Sequence, residues 1–252
     1  MSAATSISET SAGPGIIFEN AEKKFGALIA LRRLSLKIAP GEFVVLVGPN
    51  GSGKTTLLRL AALLSRPTGG KVRVENSGGT PQVNIRKKIG MVAHATMLYD
   101  ELTAEENLRF FARLYDLDEP RRRAAEALEP AGLADRAGDL VRTFSRGMRQ
   151  RLAIARALLA GPTLLLLDEP AAGLDRAGAA WLARTLTDLR SAGATVLMSS
   201  HGQSESVSLA TRAIEMRRGS VASDSAAGGD LYSIIQRGAG ESTHASTPAG
   251  RS

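Results

Sequence analysis

Gly48-Pro49-Asn50-Gly51-Ser52-Gly53-Lys54-Thr55-Thr56 stands between an apolar run, Phe43-Val44-Val45-Leu46-Val47, and a helix-like run, Leu57-Leu58-Arg59-Leu60-Ala61-Ala62-Leu63-Leu64. The pattern G-x-x-x-x-G-K-[ST] has chemical meaning only in that setting, with a strand before it and a helix after it. Glycines let the backbone curl until successive N–H groups point inward, and the new helix adds its positive end. Together they form a nest for a polyphosphate. Lys54 reaches the β- and γ-phosphates, and the Thr55 hydroxyl is placed to ligate Mg²⁺. Every residue from Gly48 to Thr56 is therefore a candidate nucleotide contact.

A second signal lies further along. Thr163-Leu164-Leu165-Leu166-Leu167 is a fully apolar strand that ends in Asp168-Glu169-Pro170. An acidic residue leaving the C-terminal end of a buried parallel strand lies at the sheet edge where the phosphate loop also opens. Asp168 there holds Mg²⁺ through its waters, and Glu169 orients or deprotonates the water that attacks the γ-phosphate. His201 ends the next strand, after Ser199-Ser200. A lone histidine is more often structural, but this position puts it beside the γ-phosphate as a hydrogen-bond donor. Thr143-Phe144-Ser145-Arg146-Gly147-Met148-Arg149-Gln150-Arg151 opens a helix with Ser and Gly, a second potential phosphate-binding end.

Composition bounds the rest. The chain has 252 residues, 43% hydrophobic and 23% charged, the proportions of a soluble globular protein with one large α/β domain or two small ones. It has no cysteine, which excludes disulfides and thiolate metal sites. Met1 to Gly15 lacks the basic start and apolar core of a signal peptide, and no apolar run approaches the ~18 residues that span a bilayer. A net charge of +7 and a pI near 10.1 suggest an anionic neighbour, but the arginines are spread along the chain and single out no partner.

Strands are expected at Ile16–Phe18, Leu34–Ile38, Phe43–Val47, Lys71–Val74 (an edge), Lys88–Ala93, Thr163–Leu167 and Ala194–Ser200. A closing pair is expected at Ile214–Met216 and Ser220–Val221. Thr103-Ala104-Glu105-Glu106 reads as a capping box opening a helix, with further helices over Glu119–Ala131, Ser145–Ala160 and Ala179–Ala192. Strands alternating with helices argue for an α/β fold of the P-loop, RecA-like kind: a mostly parallel sheet with an antiparallel β edge. An all-helical subdomain over 99–160 is inserted between core segments 16–98 and 161–221. Residues 1–15 and 222–252 are small and polar and read as flexible tails. Leu231–Ile235 could be a short docking segment, but a frayed end fits that composition better.

The phosphate loop, Asp168-Glu169, Ser145-Arg146-Gly147, Ala172-Gly173-Leu174-Asp175 and His201 together resemble the ATP-binding subunit of ABC transporters, over residues 16–221. The resemblance implies ATP and Mg²⁺ as ligands and two copies, identical or paralogous, facing head to tail. Each ATP would lie between the Gly48–Thr56 loop of one copy and the Ser145/Gly147 helix of the other. It also implies that Phe25 stacks on adenine, that Asp175 couples the two sites, and that the helical insertion docks onto a multi-span membrane permease at the cytoplasmic face of the membrane. No nucleic acid is expected as a partner.

Two positions depart from the family pattern. The usual LSGGQ reads Phe144-Ser145-Arg146-Gly147-Met148, and His94 stands where most members carry a glutamine. A neutral imidazole can accept a bond as glutamine does, whereas an imidazolium would repel Mg²⁺. The segment His94–Tyr115 and the helix FSRGMRQRLAIARALL are similar to the haem-exporter ATPases of cytochrome c biogenesis. A generic or multidrug exporter, or a non-transport ATPase acting on nucleic acid or the ribosome, are the alternatives. DNA-repair relatives split the site around coiled coils or carry zinc cysteines, translation-factor relatives carry two phosphate loops, and kinases have no use for the Ser145–Gly147 helix.

Overall fold

The computed structural model describes residues 12–75, 85–201 and 204–240. β1 (Gly15–Phe25) and β2 (Leu28–Ile38) make an antiparallel hairpin. β3 (Phe43–Val47) then leaves for a second sheet, α1 (Lys54–Ala61) follows it, and β4 (Gly69–Glu75) returns to the other edge of β1. The hairpin is longer than the periodicity predicts. Its registers shift between Phe18 and Ala21, and Asn20 and Arg33 adopt positive φ, so the alternation of period two is broken midway.

The second sheet has six strands: β3, β5 (Ile89–Val92), β6 (Leu164–Asp168), β7 (Thr195–Ser199), β8 (Arg212–Arg217) and β9 (Ser220–Asp224), in the order β5-β6-β7-β3-β8-β9. All neighbours are parallel except β8 and β9. This is the expected mixed, mostly parallel sheet with an antiparallel edge. β3 lies inside it with all five residues buried, which is why its sequence is continuously apolar. Val44 and Leu46 pack with Leu57, Leu58 and Leu60 of α1 and with the antiparallel sheet. Phe43, Val45 and Val47 face the helices on the other side. Each such side chain contributes about 1.5–3 kcal/mol when withdrawn from water.

Three helices form the inserted block: α2 (Ala104–Leu114), α3 (Pro120–Leu128) and α4 (Arg146–Leu158). The capping box at α2 is present, with the Thr103 hydroxyl accepting from the Glu106 N–H and the Glu106 carboxylate accepting from the Thr103 N–H. The block shares its core with the sheet: Ala104, Leu108 and Leu128 belong to the same buried cluster as Phe43 and Val45, joined through α4. α5 (Arg176–Ser191) covers the same face.

Both expected tails are shorter than 1–15 and 222–252. The Gly13 N–H bonds the Gly193 carbonyl, and β1 begins at Gly15. β9 runs to Asp224, and α6 (Leu231–Gly240) docks Ile234 and Ile235 into the helix-side core. Those two isoleucines anchor a segment whose composition is otherwise small and polar. Arg212 ties the hairpin down through Asp224 and Glu42. Residues 1–11 and 241–252 lie outside the described residues.

Candidate nucleotide-binding site

β5, β6, β7 and β3 run parallel and side by side, so their C-terminal ends open along one edge. From those ends come, in the same spatial order, His94, Asp168 with Glu169, Ser199 with His201, and the phosphate loop. Positions up to about 150 residues apart in sequence are thus placed together by strand order alone.

The loop is shaped by glycine where nothing else fits. Gly48 has φ 132, and a Cβ there would lie 2.2 Å from the Met216 carbonyl oxygen. Gly53 has φ 107, and its Cβ would meet the Ala30 carbonyl oxygen at 2.8 Å. Lys54 opens α1 and is only 6% exposed, with its ammonium donating to the carbonyls of Gly48 at 2.6 Å and Pro49 at 3.1 Å. Burial pushes its pKa below the ordinary lysine value, against the pull of Glu169 and Asp168. Among the described residues the buried Ser52 hydroxyl has no hydrogen-bond partner. A buried ammonium held by neutral carbonyls, an unpartnered hydroxyl and a helix N-terminus all favour an anion, and a phosphate chain meets each of them.

Residues 50–56 line a cleft of about 280 Å³ together with Phe25 and Glu169. Phe25 is 51% exposed with the Lys23 ammonium 5.1 Å from its ring centroid, which leaves an aromatic face open to a base. Leu28, Ile29 and Ala30 also line this cleft, and nothing in a hairpin's sequence points to a distant loop.

Asp168 is 3% exposed and accepts from the Thr55 hydroxyl at 2.8 Å and the Ser199 hydroxyl at 2.7 Å. Among the described residues no group of three or more His, Cys, Asp or Glu is placed to hold a metal. A hydroxyl and one carboxylate are nonetheless the hard oxygen donors that suit Mg²⁺, which keeps several waters and takes its other ligands from phosphate. Thr55 and Asp168 therefore fit the ion.

Glu169 turns out of the strand with φ 51, a left-handed conformation that costs about 1 kcal/mol for a residue with a side chain. The Ser199 hydroxyl accepts from its N–H at 3.0 Å, and the His201 Nε2 lies 2.6 Å from its Oε1. Gln150 of α4 donates to the Pro170 carbonyl at 2.9 Å and fixes the next residue. Ser199 and Gln150 thus support the carboxylates, a role that arises only from tertiary contact. His94 is exposed at the rim of a neighbouring cleft of about 270 Å³ that also includes Asp168, Glu169 and Gln150.

The second phosphate-type end is built differently. Ser145 caps α4 by accepting from the Met148 N–H at 3.2 Å. A Cβ on Gly147 would lie 2.8 Å from the Gly173 carbonyl oxygen, so the helix end sits tightly on the loop after Glu169. Asp175 caps α5 through the Gly178 N–H and pairs with Arg151; those contacts hold its carboxyl below the ordinary value. Neither Ser145 nor Gly147 lines the cleft over the phosphate loop of its own chain.

The ABC transporter family pattern matches residues 31–172, more than half of the sequence. The chain belongs to the ABC transporter ATP-binding family. This ABC ATPase is 36% identical over 240 residues to the daunorubicin resistance ATP-binding protein DrrA3 of Streptomyces coeruleorubidus, covering 91% of this chain and 76% of that one. It is 37% identical over 226 residues to the Fe(3+) ions import ATP-binding protein FbpC of Agrobacterium fabrum, across 87% of this chain and 63% of the relative. Among solved structures it is similar to the dimeric ATP-binding cassette MJ0796 in a post-hydrolysis state bound to ADP and Pi. That match has a TM-score of 0.73, 32% identity, and coverage of 83% of this chain and 97% of that chain. As an ABC ATPase the chain binds ATP with Mg²⁺, hydrolyses it, and serves as the ATP-binding subunit of a transporter.

Proposed function

We propose that two such subunits close head to tail on ATP and drive a multi-span permease to which they bind peripherally, at the cytoplasmic face of the membrane. One observation carries this reading: the cleft over the phosphate loop is open, while Ser145 and Gly147 stand on another part of the same chain, outside it. A second copy brings that end to the loop.

Within the closed site each residue has a role its geometry suits. The Gly48–Thr56 backbone and Lys54 hold the phosphates, Phe25 stacks on the base, and Thr55 with Asp168 hold Mg²⁺. Bound Mg²⁺ offsets the charge of the β- and γ-phosphates. Glu169 takes the proton of the attacking water, and His201, 2.6 Å away, fixes the carboxylate that receives it. Ser145 and Gly147 close on the γ-phosphate from the other copy, and Asp175 links the two sites. His94 lies between the Asp168–Glu169 edge and the helical block.

The permease surface is aromatic. Tyr99, Phe110 and Leu114 are exposed on the helical block, and Tyr99 and Phe110 meet edge to face at 5.0 Å. No described helix is long and apolar enough to cross a membrane, so in this reading cargo is bound by the partner. Haem export rests on the resemblance of His94–Tyr115 and of the α4 sequence. A drug exporter is the second reading, favoured by the similarity to DrrA3 over nearly the whole chain. Affinity purification of the tagged chain from solubilised membranes should recover a multi-span protein, and its absence contradicts the transport reading. Deletion then separates the cargoes: loss of c-type cytochromes with b-type spared supports haem, and drug sensitivity with normal c-type cytochromes supports efflux.

A further inference from the structure

We propose that α6 holds the start of the phosphate loop in its binding shape, with Gly238 as the positioning residue. The helix packs against β8 and β3. A Cβ on Gly238 would lie 2.3 Å from the Val47 Cβ, 2.7 Å from the Val47 Cγ2 and 3.2 Å from the Gly48 nitrogen. Glycine is a poor helix former, and Gly238 does not hold the left-handed φ that would call for one. What the position requires is the close approach itself.

That approach falls at a sensitive point. Val47 ends β3 and Gly48 begins the loop. The Gly48 carbonyl accepts from the Lys54 ammonium at 2.6 Å, so the residue that α6 touches is also the one on which the buried cation rests. β8 bounds the same glycine, since a Cβ on Gly48 would meet the Met216 carbonyl oxygen. β8 is tied to α6 in turn. Its Glu215 is 2% exposed and stands opposite Val47 in the parallel register. One carboxylate oxygen pairs with Arg217, and the other lies 3.6 Å from the Arg237 guanidinium of α6. Gly48 is thus met by two elements that an ion pair joins. Holding the loop in the shape that takes phosphate removes an ordering cost from binding. By linkage, a nucleotide that needs the held loop secures α6 in return.

The test titrates the full chain with fluorescent ADP in the presence of Mg²⁺. Gly238→Ala should raise the dissociation constant about tenfold, because a methyl group there must displace either α6 or Val47 and Gly48. Ile235→Val thins the core anchor of the same helix; it should lower the melting temperature and leave the dissociation constant unchanged. Gln236→Ala, exposed on α6, should change neither. In the parent chain, amide exchange over Leu231–Gly238 should slow when ADP and Mg²⁺ are added, by more than it slows over α3, which does not line the cleft. Unchanged affinity in Gly238→Ala overturns the proposal. Equal losses in Gly238→Ala and Ile235→Val also overturn it, reducing α6 to general support. Should Gly238→Ala fail to fold, the parent decides: exchange in α6 that is indifferent to nucleotide overturns the contact. Every readout is made on the separate chain, so the outcome stands whether or not two copies pair.

Discussion

The N-termini of α1 and α4, the two ends to which the proposed pairing gives phosphate contacts, are built in opposite ways. At α1 the backbone is closed into a cradle, the cation Lys54 is buried, and glycines at Gly48 and Gly53 are dictated by carbonyls less than 3 Å from any Cβ. At α4 the cap residue Ser145 and the cation Arg146 are both exposed. A preorganised site pays its ordering cost on folding and binds alone. An open helix end binds only what is brought to it. In the proposed pairing, α1 carries ATP affinity and α4 carries ATP-dependent assembly.

The largest effect should come from the closed end. Lys54→Ala removes the buried cation, and nucleotide binding by the separate chain should fall by about a hundredfold, the range of a charged hydrogen bond plus an unpaired phosphate charge. Fluorescent-nucleotide titration checks it; retention of affinity would mean that the cradle works by its backbone alone.

At the open end Ser145→Ala should leave that titration unchanged while lowering the ATPase rate about tenfold. It should also cost about 1 kcal/mol of stability as a lost helix cap. Weaker nucleotide binding by the separate chain would erase the contrast between the two ends.

The smallest effect concerns the seat of α4. The Gly178 N–H and then Arg151 hold the Asp175 carboxyl below its ordinary value, so the group is charged in the folded chain at pH values where it would protonate in the unfolded one. Its stabilisation is present above the ordinary carboxylate range and is lost as pH falls through the lowered value. Asp175→Asn should therefore be less stable than the parent near neutrality and converge with it in acid. Parallel melting-temperature profiles would show that the pair contributes nothing.

Parts of the molecule were unequally legible in the sequence. Gly48–Thr56, Asp168-Glu169 and Ser145-Arg146-Gly147 are contiguous residues of fixed type, so each could be read as a candidate from the chain alone. The supports at Ser199 and Gln150 are set by a register, Asp168 opposite Ser199, and by a helix crossing, neither of which leaves a local pattern. Arg156 is similar: buried in α4, it donates to the Met91 carbonyl at 2.7 Å and lies 5.0 Å from the Phe111 ring, joining α4 to β5 and α2. α6 was hidden because two buried isoleucines carry it among Ser, Gly and Ala. The β1–β2 hairpin extends past its visible alternation because its bulges break the period that marks a strand.

Sedimentation velocity of Glu169→Gln, with and without ATP, tests most directly whether the two ends complete one site. Glutamine keeps the size and the hydrogen-bonding reach of Glu169 but cannot take the proton, so ATP should remain bound. A monomer without nucleotide that becomes a stable dimer with ATP is the expected result. A species that stays monomeric while nucleotide titration shows the phosphate loop saturated would contradict it.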